Sequence, residues 1–167
     1  MAKELITGLR LTDKCLEWTS IEKGKDALKV VDTGKVEIEA PAPAEGEGQT
    51  TAPAQQGIAE LISANAGRIG GDVTLGISSD KLLMRVVKLP LVPDEELGGM
   101  VQLQVDKLSP FPVENMVVSY EIMEKGKDFC NVLVAAAKND VVDGIGKLLA
   151  DAGISPSRVD VNVLGWW

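Results

Sequence analysis

The sequence predicts an α/β protein, and three observations lead there. Period-two alternation recurs in short runs over residues 4–11, 15–21 and 27–39, as half-buried strands require. Three other stretches, after Gln56, Pro93 and Asn139, carry apolar residues at helical spacing. A third signal is an order of elements: a strand closing in Leu89-Pro90, an acid-led helix, the step Pro110-Phe111-Pro112, then an alternating strand over 116–123.

In the first run Leu5, Thr7, Leu9 and Leu11 share one face, with Ile6, Gly8, Arg10 and Thr12 on the other. Glu22-Lys23-Gly24-Lys25-Asp26 is the turn between the next two runs, so the first three strands form an antiparallel meander. Residues 40–56 are rich in Pro, Ala, Gly and Glu, have little to bury, and read as a flexible loop inside one fold. Ile58, Leu61, Ile62, Ala66 and Ile69 then define a helix over 57–69, stopped by Gly70-Gly71.

Val73, Leu75 and Ile77 point inward from a strand over 72–78, and another strand follows at 82–89. Pro93-Asp94-Glu95-Glu96 opens a helix, because acids suit the positive end of its dipole; Leu97, Met100, Val101, Val105 and Leu108 are its buried stripe. The run 129–137 is apolar on both faces and reads as a central strand. Asn139 or Asp140 caps a helix bearing Val141, Val142, Ile145, Leu148, Leu149 and Ala152; Gly153 ends it, and Val159, Val161 and Val163 make a last strand before Trp166-Trp167.

Composition excludes several functions. At 167 residues the chain buries roughly two-thirds of its unfolded surface. A net charge of −8 argues against a nucleic-acid partner. No basic cluster marks a lipid surface, no signal-peptide core follows Met1, and no apolar run reaches the ~20 residues of a membrane span. The reading is soluble and cytoplasmic, with no direct membrane insertion.

Catalytic signals are equally sparse. There is no histidine, and Cys15 and Cys130 read as reduced, buried thiols, so no metal site is expected. Neither a P-loop nor a Gly-x-Gly-x-x-Gly turn is present, and no Gly-x-Ser-x-Gly elbow surrounds Ser78-Ser79. Glu95/Glu96 and Asp140/Asp143 sit at helix starts, where the dipole explains them. No catalytic residue and no cofactor are expected.

Taken together, Arg85–Pro90, Glu95-Glu96-Leu97, Leu108-Ser109-Pro110-Phe111-Pro112, Asn131–Lys138 and Ala152-Gly153-Ile154-Ser155-Pro156 resemble one family. It is the actin-like group that contains the type IV pilus assembly protein PilM and the cytoplasmic part of the type II secretion protein GspL. The likeness covers residues 72–163 well and residues 4–39 more thinly. It implies a partial actin-like, ribonuclease H-like sheet with an inserted small α/β subdomain. The implied domains are 1–78, then an insert at 79–157, then a strand at 158–167 returning to the first sheet.

Two departures from the family shape the functional expectation. Where the pilus protein has a Gly-Ile-Asp-Ile-Gly-like phosphate motif, this chain has Gly8-Leu9-Arg10-Leu11-Thr12. A guanidinium cannot replace a carboxylate that holds a cation, so the resemblance points to a lost ATP-hydrolysis site, as in the nucleotide-independent secretion relatives. Second, the chain matches only the first half of the fold plus its insert. The implied function is a non-catalytic scaffold of a pilus or secretion inner-membrane platform, peripheral to the membrane through its partners. It would bind the cytoplasmic tail of a bitopic membrane protein, or contact the assembly ATPase. Leu89, Pro90, Phe111 and Pro112 are the candidate partner-binding residues, with corner packing as their other reading. The alternatives are an actin-like ATPase completed by a second half, and a cell-division adaptor of the same fold.

Overall fold

β1 (Glu4–Leu11), β2 (Cys15–Lys23) and β3 (Leu28–Glu37) form the expected antiparallel meander. In this computed structural model residues 4–12, 14–25, 27–37 and 52–162 are described. The expected loop at 40–56 therefore lies outside the described residues as far as residue 51, as do Val163 and Trp166-Trp167 of the expected last strand.

The helix that follows begins earlier than its apolar spacing suggests. α1 spans Ala52–Asn65 and passes through a single 3-10 turn, Ala66–Arg68. Residues 52–56 are thus helical and not loop: a proline in the first turn has no intrahelical hydrogen bond to lose, so Pro53 is compatible with a helix start. Gly71 has a φ of 77° and brings its backbone against that of Leu5, where a side chain would collide. The turn admits only glycine without strain.

β4 (Asp72–Ile77) runs parallel to β1, and β8 (Arg158–Val161) parallel to β4, giving a five-stranded sheet in the order β3-β2-β1-β4-β8. Leu9, Leu16, Trp18, Val73, Leu75, Ile77 and Val161 are buried on one face. Two hydroxyls are buried among them. Thr7 donates to the Gly70 carbonyl at 2.7 Å and accepts from Ser20 at 2.8 Å, so both polar groups are satisfied.

Between β4 and β8 the chain builds a second unit. β5 (Leu82–Pro90), β6 (Met116–Lys125) and β7 (Phe129–Lys138) form an antiparallel sheet with β7 in the centre, the position its two apolar faces predict. α2 (Asp94–Leu108) carries Asp94, Glu95 and Glu96 in its first turn and Lys107 in its last, each suiting the dipole. Its Leu97, Val101 and Val105 pack with Leu89, Cys130, Val132, Val134 and Ala136, and Met100 packs against that cluster. Leu108 does not join them: it is 45% exposed, since the helix ends there and the next residue, Ser109, is already extended.

α3 (Asn139–Asp151) follows β7 and ends where Gly153 adopts a φ of 75°, with Ile154 N–H bonded back to the Leu149 carbonyl at 2.9 Å. The chain divides into two compact units, Met1–Ser78 with Ile145–Trp167, and Ser79–Gly144. The boundary on the return path falls inside α3, whereas the sequence reading placed it at 158, where β8 starts.

Candidate functional site

Strand alternation puts Gly8, Arg10, Glu17, Thr19, Thr74 and Gly76 on the face of the five-stranded sheet opposite the buried one. With Asp160 they line a shallow trough of about 290 Å³. Arg10 and Glu17 face each other in register, and Arg10 Nη1 donates to Glu17 Oε2 at 2.8 Å. Asp160 Oδ1 accepts the Val161 N–H at 2.7 Å.

That arrangement tests the nucleotide an actin-like fold implies. The trough's cation, Arg10, is matched by Glu17, and Asp160 adds a further carboxylate. A triphosphate entering it would meet more negative charge than positive. No group of three or more His, Cys, Asp and Glu among the described residues is arranged to hold a metal ion. The lining of this trough carries one more carboxylate than cations.

A different kind of site lies in the second unit, at the end of the sheet where β5 begins and β7 finishes. After α2, Ser109 organises the turn: its hydroxyl accepts the Phe111 N–H at 3.0 Å and donates to Met116 Sδ at 3.2 Å. Pro110 and Pro112 hold the segment away from helix, and the Pro112 carbonyl accepts the Asn115 N–H at 3.0 Å. Phe111 is left 41% exposed, with the Lys138 ammonium 3.3 Å from its ring centroid. Beside it opens a pocket of about 370 Å³ with Leu82, Leu83, Met116, Ala136 and Val141 in its lining and Asp80, Lys81, Phe111 and Lys138 among its walls. Pockets of this size and apolarity accept side chains of a ligand.

The structure separates the four residues singled out from sequence. Phe111 and Pro112 stand at this pocket's end of the unit. Leu89 and Pro90 stand at the other end of β5, paired with Cys130 and Phe129, a separation of roughly 26 Å at ~3.3 Å per residue. Leu89 is 2% exposed and belongs to the core, so its placement is a packing one; Pro90 is exposed where the strand ends. Lys138, Leu82 and Val141 were not among the site residues the sequence singled out. Lys138 closes an otherwise apolar strand, and only strand pairing shows that it reaches Phe111.

A five-stranded sheet of this order interrupted by an α/β insert defines the class: the protein has a partial actin-like fold. Within that class the chain belongs to the type IV pilus assembly protein PilM family, whose model matches residues 8–165. No curated protein matches the sequence. Among solved structures it is similar to the protein of the PilM–PilN type IV pilus biogenesis complex, with a TM-score of 0.73 and 20% identity over 95% of this chain and 47% of that one. It is also similar to the cytoplasmic domain of EpsL, an inner-membrane component of the type II secretion system of Vibrio cholerae. There the TM-score is 0.62 and the identity 17%, over 96% of this chain and 58% of the other. The chain thus spans about half the length of the solved structures it matches.

Proposed function

We propose that this chain is a non-catalytic cytoplasmic scaffold of a type IV pilus or type II secretion inner-membrane platform, holding the cytoplasmic tail of a bitopic, PilN-like membrane protein. The observation that carries the reading is the apolar pocket walled by Phe111, in a chain of the PilM family. Phe111 walls the tail-binding pocket and Pro112 follows it in the chain outside the lining, Leu89 belongs to the core, and Pro90 lies at the far end of the strand. Scaffolding in place of catalysis is supported by the sheet trough, where Arg10 is paired with Glu17 and Asp160 adds a second carboxylate. No helix among the described residues is long and apolar enough to cross a membrane. Attachment to the inner membrane through the partner is part of this proposal. The assembly ATPase is a second proposed partner.

The test is calorimetric titration of the full-length protein with a synthetic peptide of the host PilN-like cytoplasmic tail. Saturable binding is expected, weakened at least tenfold by Phe111→Ala, about 1.4 kcal/mol. Absence of binding to the unaltered protein overturns the reading.

A further inference from the structure

Each strand pair lies within one of the two compact units, and the chain passes between the units at two points, Ser78-Ser79 and Gly144-Ile145. At the first, Ser78 lies outside helix and strand and leads into a single 3-10 turn, Ser79–Lys81. The second falls in the interior of the 13-residue helix α3, where two glycines, Gly144 and Gly146, bracket Ile145. Glycine weakens a helix interior because it loses more backbone freedom there than any other residue. Close packing can require it, but not here: both are exposed, and a Cβ at either would meet nothing within 4 Å beyond the helix's own backbone. The anchors of α3 stand on either side of them. Val141 joins the lining of the Phe111 pocket, and Leu149 is buried, with its carbonyl bonded to the Ile154 N–H. α2 is the contrast. Its Gly98 and Gly99 lie between Leu97 and Val101, which enter the same core cluster, so α2 cannot bend there without opening that core.

We propose that α3 is a hinge, and that the unit Ser79–Gly144 turns on Gly144 and Gly146, with Ser78 as the second pivot. Helices kink where glycine interrupts their ladder, and domain motions are absorbed by a few small residues at or between elements. Gly144 and Gly146 let the helix hydrogen bonds around Ile145 open and re-form, while Val141 and Leu149 stay seated in their own units. The hinge needs neither a nucleotide nor a bound tail, and is independent of the function proposed above.

The experiment is double electron–electron resonance on the full-length protein, with nitroxides at Glu60→Cys on α1 and Gln102→Cys on α2. Both are exposed helix positions, and the native Cys15 and Cys130 are buried. Hydrogen exchange of the α3 amides is the second measurement. With the glycines in place the distance distribution should be broad. Gly144→Ala with Gly146→Ala should narrow it and slow exchange over residues 144–148 about tenfold or more. Gly98→Ala with Gly99→Ala in α2 is the control: it should slow exchange in α2 and leave the distances unchanged. A distribution already narrow with the glycines in place overturns the hinge, and so does one that stays broad in the α3 variant. Equal narrowing by the α2 pair would overturn it too, because α3 would then not be where the motion is absorbed.

Discussion

Arg68 grips the Asp32 carboxylate with two hydrogen bonds, Nη2 to Oδ1 at 2.6 Å and Nε to Oδ2 at 3.0 Å, joining the turn after α1 to β3. Trp18 Nε1 donates to the same Oδ2 at 3.1 Å, and the guanidinium lies 4.8 Å from the Trp18 ring centroid. These bonds, Arg68's first and Trp18's second, hold the Asp32 pKa down from 3.8 to about 2. A carboxylate depressed in the folded state stabilises the fold above its unfolded pKa, and loses that contribution as pH falls through the folded one. The window is pH 4 to 2. Urea unfolding across it should show a loss in the native protein that is absent in Asp32→Asn. Parallel curves for the two proteins would mean that the pair contributes nothing.

Gly34 lies opposite Trp18 across β2 and β3, and a Cβ there would overlap the indole ring. Gly34→Ala should cost about 1–3 kcal/mol, the range for overpacking a well-filled site. Chemical denaturation followed by tryptophan fluorescence would measure it; an unchanged midpoint would show that β3 yields to make room.

The Thr7 hydroxyl joins Ser20 to the Gly70 carbonyl in a fully buried position. Thr7→Val keeps the shape but leaves those two groups short of a partner, a loss of about 1–3 kcal/mol. Thr19→Val, on the exposed face of the same sheet, is the control and should stay within about 0.5 kcal/mol.

Leu89 and Phe111 should separate stability from binding. Leu89→Ala empties part of the second unit's core and should cost about 2–5 kcal/mol in denaturant. Phe111→Ala should lose little more than its contact with Lys138, about 0.5–1 kcal/mol, while tail affinity falls at least tenfold. Equal destabilisation by both would make Phe111 another packing residue.

Magnesium-ATP should leave the melting temperature of the full-length protein unchanged. Because a ligand stabilises the state that binds it, an upward shift of several degrees at saturating nucleotide would falsify the nucleotide-independent reading.

Much of the fold was legible because burial imposes periodicity. Strict alternation marked β1, and apolar residues on both faces marked β7 as central. Composition misled at Ala52–Gln56, where Pro and Ala are compatible with either a linker or a helix start. Periodicity overreached at Leu108, which keeps the helical spacing but has nothing left to pack on. The candidate site was less legible for a geometrical reason. Both Arg10–Glu17 and Lys138–Phe111 are made by strand pairing or by a turn folding back. Neither partner sits at a spacing that announces the other. Leu89 and Phe111 each mark a corner in the sequence, but those corners belong to opposite ends of one strand.

β8 completes the first sheet beside β4, and just before it Ser157 N–H bonds to the Val73 carbonyl across 84 residues of chain. During synthesis the meander and β4 emerge long before the strand that borders them, so that sheet is completed only after the unit between them has emerged. Closing a loop of this length carries an entropic cost that rises with the logarithm of its span. The antiparallel unit in between, whose strand pairs all close over shorter spans, can form first and draw the ends together. Folding order is then written into the wiring, and a lesion such as Leu89→Ala should slow the docking of β8 in a sheet to which Leu89 does not belong.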